Sequence, residues 1–347
     1  MGLNIALDLD QWRKWQHGRH PLRKLRAALR PAPDSGFAVA VRGDVPVVLV
    51  ALDADTPTQR MSLLEPLKAL GDMPAAVLAP AGLPGLRQIL PGGPWREEPV
   101  RNMQLPGQLR QLSAVLAVGH YLPAGALAHA WSRQLGVKFD VVQHGLMTPH
   151  APPLPQDAHL LAFSDADAEF WQSGRGDVTW DVVGSQLLWT AGAQGAERAD
   201  GASRPVFLGQ LHGAELPRSG FARAATQFCT ATGAEYRPHP SETDKLSRLQ
   251  HALWERRGVK IDRSGIPLAA LNAPVASVFS TGVLEAAARG IPAWVTYPSP
   301  PTWLEEFWGR YGMSRWGTEP TPAPARPDLE PARAIAAIIS NQVREVS

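Results

Sequence analysis

Short apolar runs that end in turn residues alternate with longer stretches of helical periodicity from Phe37 to Thr296, and this rhythm constrains the chain more than any other feature. It is the pattern of βαβ units built round parallel sheets, so the fold class expected is α/β. Phe37 to Val41, Val45 to Ala51, Ala75 to Leu78, Ser113 to Val118, Phe139 to Val142, His159 to Phe163 and Val178 to Val183 read as strands. Thr58 to Leu70 and Ala124 to Leu135 read as helices, and Ser164 caps a third that runs through Trp171. Asp165 and Asp167 lie in its first turn, where negative charge suits the helix dipole.

The rhythm breaks once. Residues 191–204 (AGAQGAERADGASR) are small and polar and lack apolar periodicity, which is the signature of a linker. The pattern then restarts, with strands at Pro205 to Leu208, Glu235 to Arg237, Val259 to Ile261, Ala276 to Phe279 and Ala293 to Thr296. Arg218 to Thr232, Glu242 to Arg257, Ile266 to Leu271 and Val283 to Arg289 read as the helices between them. A chain of 347 residues fits two domains at roughly 150 residues each. The division expected is 1–190, a linker at 191–204, a second domain at 205–320, and a Pro-rich segment with a closing helix at 321–347 that returns to the first domain.

Composition narrows the partners. Lys plus Arg is 34 and Asp plus Glu is 32, so the electrostatic footprint of a nucleic-acid binder is missing. The single cysteine, Cys229, excludes an intrachain disulfide and reads as a buried small hydrophobe. No signal peptide is visible and no apolar run is long enough to span a membrane, so a cytoplasmic protein is expected. The basic stretch from Gln11 to Arg30 carries Trp12 and Trp15. It reads as a helix face covering the first domain, with peripheral membrane contact as the alternative.

In open parallel sheets, ligands bind beyond the carboxyl ends of the strands, so the residues after each expected strand are the candidates. Four places stand out. Gln143-His144-Gly145 follows Phe139 to Val142 and sets an imidazole, a base that titrates near neutrality, beside a glycine suited to a tight turn. Arg237-Pro238-His239-Pro240 holds His239 in a stiff frame beside a guanidinium, which suits a phosphate oxygen. Ser280-Thr281-Gly282 opens a helix whose free N–H groups favour an anion, and Glu285, one turn later, suits a ribose diol. Gly209 and Gln210 begin a loop, with His212 and Gly213, that suits a pyrophosphate.

These residues together resemble the GT-B glycosyltransferases, and more narrowly bacterial surface-polysaccharide enzymes: capsule-type sialyl- and Kdo-transferases and polyol-phosphate transferases of teichoic acid synthesis. His239-Pro240 is similar to the HP motif of those families, and Ser280-Thr281 to their later Ser/Thr motif; the two together grip the donor phosphates there. Gln143-His144-Gly145 resembles the His-Gly element of the polyol-phosphate transferases, where the His acts as base. The resemblance implies two Rossmann-like domains facing a cleft and a metal-independent, inverting transfer from a nucleotide sugar to a glycan or lipid-linked acceptor. In that transfer His144 and His239 are the catalytic candidates. Gly209, Gln210, Arg237, Ser280, Thr281, Gly282 and Glu285 would hold the donor, with Gln143 and Gly145 on the acceptor side. No cofactor is implied beyond the donor substrate, a nucleotide sugar or a CDP-polyol. Asp53-Ala54-Asp55 reads as a loop and Asp165-Ala166-Asp167 as a helix start, so neither is read as a metal-binding Asp-x-Asp element.

Three alternatives stay open: a CDP-polyol phosphotransferase, a non-hydrolysing UDP-N-acetylhexosamine 2-epimerase, and a non-catalytic binding protein on a degenerate GT-B fold. The last draws on Trp303, Phe307, Trp308, Tyr311 and Trp316, either a partner surface or, by the spacing of Trp303, Phe307 and Tyr311, one buried helix face. Donor base, sugar, acceptor, anomeric outcome and oligomeric state are not legible in the sequence.

Overall fold

A computed structural model describes residues 2–19, 36–195 and 204–346. The chain divides into two compact units, Met1–Leu187 with Pro327–Ser347, and Leu188–Arg326. Residues 20–30 of the basic stretch and 196–203 of the expected linker lie outside the described residues. The start of the linker stretch is instead the end of a helix, Gln186–Gln194.

The first unit contains β1 (Phe37–Arg42), β2 (Val48–Ala51), β3 (Ala75–Pro80), β4 (Arg96–Val100), β5 (Ala114–Ala117), β6 (Phe139–Val142), β7 (His159–Ala162) and β8 (Thr179–Val182). They form one sheet in the order β4-β1-β3-β2-β5-β6-β7-β8. From β3 to β8 every pairing is parallel, whereas β1 runs antiparallel to both β3 and β4. The loop 43–47 between β1 and β2 is too short for a crossover helix, so β1 has to reverse direction. Pro46 also delays β2, which starts later than the apolar run suggests. β4 escaped the sequence reading because its Arg96-Glu97-Glu98-Pro99 run is the charged, Pro-bearing signature of an edge strand.

The central strands are buried on both faces, which is why they read as continuous apolar runs. Val39, Leu49, Val115 and Val141 point into one core with Trp131 and Trp171. Ala40, Val50, Leu116 and Val142 point into the other with Leu63, Leu67, Ile335 and Ile339. Ile335 and Ile339 come from the last helix, Pro331–Val346, so the second core combines residues from both ends of the chain.

The second unit has β9 (Val206–Leu208), β10 (Glu235–Arg237), β11 (Val275–Ser277) and β12 (Ala293–Val295), all parallel, in the order β10-β9-β11-β12. Val259 to Ile261 forms no full strand; it contributes a single bridge, Tyr236 to Ile261. Cys229 is buried on the helix Arg218–Thr232, and burial pushes its thiol up to about 12. Phe307 and Trp308 are buried on the helix Thr302–Arg310, and Trp308 Nε1 donates to the Val278 carbonyl at 2.7 Å. Trp303 and Phe307 both pack edge-on against Phe279, so this aromatic group largely serves the core.

Both units are therefore α/β, with a large parallel-rich sheet and a smaller all-parallel one. In each, the second parallel strand in sequence lies outside the first, and the third lies on the first strand's other side. The winding reverses between β2 and β5, and again between β9 and β11. Ile339, fully buried in the final helix, tests how far the first unit depends on it. Ile339→Ala is expected to destabilise the full-length protein by about 2–5 kcal/mol, read from denaturant unfolding.

Candidate functional site

Reversals of winding are where open α/β sheets hold ligands. At the first, Asp53 follows β2 and reaches the helix Pro123–Leu135 that follows β5. Its Oδ1 accepts from the Ala124 N–H at 2.6 Å and its Oδ2 from the Gly125 N–H at 3.1 Å. That helix has no side-chain cap of its own at Leu122, so Asp53 satisfies its free donors from a distant part of the chain. Burial raises the Asp53 carboxyl above its usual range, and the two N–H bonds oppose the rise. Gln59 Oε1 accepts from the N–H groups of Asp53 at 3.0 Å and Ala54 at 3.1 Å, which holds the loop. Gly125 is required here, because a Cβ would lie 2.0 Å from the Gly119 carbonyl oxygen.

Tyr121, after β5, places its hydroxyl 3.3 Å from His144 Nε2, after β6. Burial raises the Tyr121 phenol, and the Asp53 charge adds to the rise. His144 is drawn the other way: burial pushes its imidazole down to about 4, so it is neutral at physiological pH rather than poised near neutrality. Its Nδ1 is enclosed without a hydrogen-bond partner. Nearby His120 is likewise pushed down to about 4, by burial first and then by His129, Arg13 and Arg175.

Two expectations for this rim change. Gln143, expected on the acceptor side, has its amide engaged within the unit. It is buried, its Nε2 donates to the Gly145 carbonyl and to Asp167 Oδ2, both at 3.0 Å, and its Oε1 accepts from the Phe163 N–H at 2.8 Å. Its whole amide braces the ends of β6 and β7. Gly145 makes no left-handed turn, and a Cβ there would meet nothing within 4 Å, so it borders open space.

The start of the chain lies against the same rim. Trp12 packs edge-on against Tyr121 with ring centroids 5.6 Å apart, and its Nε1 donates to the His150 carbonyl at 2.8 Å. Trp15 stacks on the His150 ring at 4.7 Å. Both tryptophans of the basic stretch are thus engaged with the first unit.

At the second reversal, Gln210 plays the bracing part. Its Oε1 accepts from Ser277 Oγ at 2.9 Å and from the Phe279 N–H at 3.0 Å, joining the ends of β9 and β11. Gly209 is required for packing, because a Cβ would lie 2.3 Å from the Tyr236 hydroxyl and 2.7 Å from Glu242 Oε1. Glu242 is a buried hub that accepts from the Tyr236 hydroxyl at 2.9 Å, the Leu211 N–H at 3.0 Å and His251 Nε2 at 3.0 Å. Burial alone would raise its carboxyl, but these bonds hold it below the usual range.

His239 lies over this hub. Its Nδ1 accepts from the Ser241 N–H at 3.1 Å, which leaves Nε2 carrying the proton of the neutral ring, as a donor. The His212 ring stacks on it at 3.9 Å. Arg237, in contrast, is already engaged. Its Nη1 donates to Asp262 at 2.9 Å and its Nη2 to the Ile266 carbonyl, so its charge is compensated within the unit. Ser280 caps the helix Thr281–Ala288 by accepting from the Gly282 N–H at 3.1 Å. The Thr281 hydroxyl makes no hydrogen bond among the described residues. Gly282 is again a packing glycine, with Leu208 Cδ1 2.6 Å from the place of a Cβ. Glu285, one turn on, is half-buried and pushed by burial up to about 7, against the pull of Arg289.

The residues that sequence reasoning missed are Asp53, His120, Tyr121 and Glu242. The first three follow strands just as His144 does, so the same rule reaches them. Glu242 was assigned to the next helix, which starts at Lys245 behind an Asp244 cap. Among the described residues, no group of three or more His, Cys, Asp or Glu is arranged to hold a metal ion.

No family model matches the sequence, and no curated protein matches it. Among solved structures, the UDP-GlcNAc 2-epimerase from Methanocaldococcus jannaschii aligns at 12% identity over 85% of this chain and 99% of that one, with a TM-score of 0.46. The glycotransferase of kitacinnamycin aligns at 13% identity over 87% and 95%, with a TM-score of 0.42. The beta Kdo 2,4 transferase KpsC of Thermosulfurimonas dismutans aligns at 14% over 87% and 98%, with a TM-score of 0.33. Scores this low carry no argument, and the fold rests on the strand order described above.

The buried imidazole at the first rim has a measurable cost in acid. An unfolded His144 takes up its proton near 6.5, while the folded protein resists protonation down to about 4. Across that window the unfolded chain binds more protons, so stability falls as pH drops from 6.5 towards 4 and is unaffected by this group above 6.5. His144→Gln is expected to flatten that fall, measured as denaturant midpoint against pH.

Proposed function

We infer that the protein is a GT-B-type glycosyltransferase that moves a sugar from a nucleotide-activated donor to a glycan or lipid-linked acceptor. The observation that carries the reading is the rim of the second sheet. His239, fixed as an Nε2–H donor, shares that rim with the amino terminus of the Ser280-capped helix and with Glu285. An N–H donor, a helix dipole and a hydroxyl at Thr281 suit the phosphates of a nucleoside diphosphate, and Glu285 suits its ribose diol. Arg237, Gly209, Gln210 and Gly282 support that rim without touching the ligand.

His144 is the candidate base of this reading. The acceptor oxygen attacks the anomeric carbon while the carbon–oxygen bond to the donor phosphate breaks, and the acceptor proton passes to His144. A hydroxyl bonding to an electron-poor anomeric carbon becomes strongly acidic, so a weak, neutral imidazole suffices. Tyr121, beside Nε2, orients the ring. The leaving phosphate is stabilised by His239 and the helix amino terminus in place of a cation, so turnover is expected to persist in EDTA.

A thermal-shift screen of CMP, CDP, UMP, UDP, GDP and ADP tests the donor side. A nucleotide that binds the folded protein raises its stability by roughly 2.7 kcal/mol at a hundredfold excess over its dissociation constant. CMP or CDP binding favours the capsule-type and polyol-type relatives. With the matching donor, His144→Ala is expected to keep nucleotide binding and to lose about 100- to 10,000-fold in turnover. Wild-type turnover in that variant removes His144 as base, and epimerised sugar nucleotide formed without acceptor replaces the transferase with an epimerase.

A further inference from the structure

The helix Lys245–Arg256 buries Ser247, His251 and Trp254 against the second unit. With 3.6 residues per turn, Leu246, Leu249 and Leu253 fall together in one stripe away from that face. They are exposed at 53%, 67% and 39%, which is unusual for leucines aligned on a single helix. On the helical wheel, Lys245 and Arg256 border the stripe on one side, with Arg248 further round on that flank; Arg257 caps the helix end on the other side, and Lys260 follows in the next segment. All five cations are exposed, and none makes an ion pair among the described residues. The acidic groups of this stretch are already used. Glu255 pairs with Arg263, Glu242 is the buried hub, and Asp244 caps the helix through the Leu246 and Ser247 N–H groups.

We propose that this helix docks the protein on an anionic lipid surface, with Leu246, Leu249 and Leu253 entering the headgroup boundary and the flanking cations meeting the lipid phosphates. An apolar stripe flanked by Lys and Arg is what an interfacial helix presents to a membrane. Each cation near an anionic leaflet adds attraction, and its aliphatic stem lies along the boundary. The stripe is too small for a protein interface: three partly exposed leucines offer on the order of 300 Å², against about 800 Å² per partner in a stable complex. Uncompensated positive charge on both sides likewise disfavours pairing with a second copy of the same face. The inference concerns binding alone and stands apart from the transferase reading.

Co-sedimentation of the full-length protein with vesicles tests it. The wild type is expected to pellet with vesicles of phosphatidylcholine and phosphatidylglycerol, to stay in solution with phosphatidylcholine alone, and to be released by salt. The triple variant L246S/L249S/L253S and the charge-reversal variant K245E/R248E/R256E are each expected to bind at least about tenfold more weakly. Both sets of positions are exposed, so an unchanged melting temperature is expected to accompany the loss. Failure of the wild type to bind anionic vesicles overturns the proposal. So does wild-type binding by either folded variant, or a wild-type dimer in solution that the leucine variant disperses.

Discussion

Where the winding of a parallel sheet reverses, neighbouring strands send their chains to opposite faces, and backbone groups between them are left without ladder partners. Both units meet this requirement with one polar side chain. In the first, the Asp53 carboxylate accepts the first N–H groups of the helix after β5. In the second, the Gln210 amide oxygen accepts from Ser277 and from the Phe279 N–H. The two solutions differ in charge. The Asp53 charge adds to the rise of the Tyr121 phenol, whereas Gln210 braces its rim with a neutral amide.

That difference runs through both rims. In the first, burial holds His144 and His120 neutral and Tyr121 protonated, and it raises the Asp53 carboxyl against the pull of two N–H bonds. The second holds one carboxylate firmly ionised, Glu242, inside a shell of donors, and a second, Glu285, near the point of titration. Glu242 makes no approach to the surface. Its contribution is to fix Tyr236, His251 and the loop at Leu211 beneath the His239 and His212 rings.

Much of this fold was legible because strands buried on both faces, such as Val48–Ala51 and Ala114–Ala117, leave continuous apolar runs. Pairing direction leaves no such mark, so the reversal of β1 was not readable, and the charged edge strand Arg96–Val100 resembles a loop. The positions of the two rims followed from looking after each strand. The roles did not, because hydrogen bonds between distant segments decide them. Gln143, Gln210, Gly209 and Gly282 have the composition of ligand-binding residues and are consumed by packing. Asp53 looked like loop because its partners, Ala124 and Gly125, lie more than one strand away in sequence.

The closing helix carries a consequence for how the chain is made. Ile335, Ala336 and Ile339 complete a core whose other members lie between Ala40 and Val183. During synthesis the residues of the second unit emerge before that helix does. The second sheet therefore has all its strands while one face of the first sheet still lacks its cover. Domains ordinarily mature in the order of synthesis. Here the unit begun first is the one finished last, and its uncovered apolar face is what a chaperone would meet on the nascent chain.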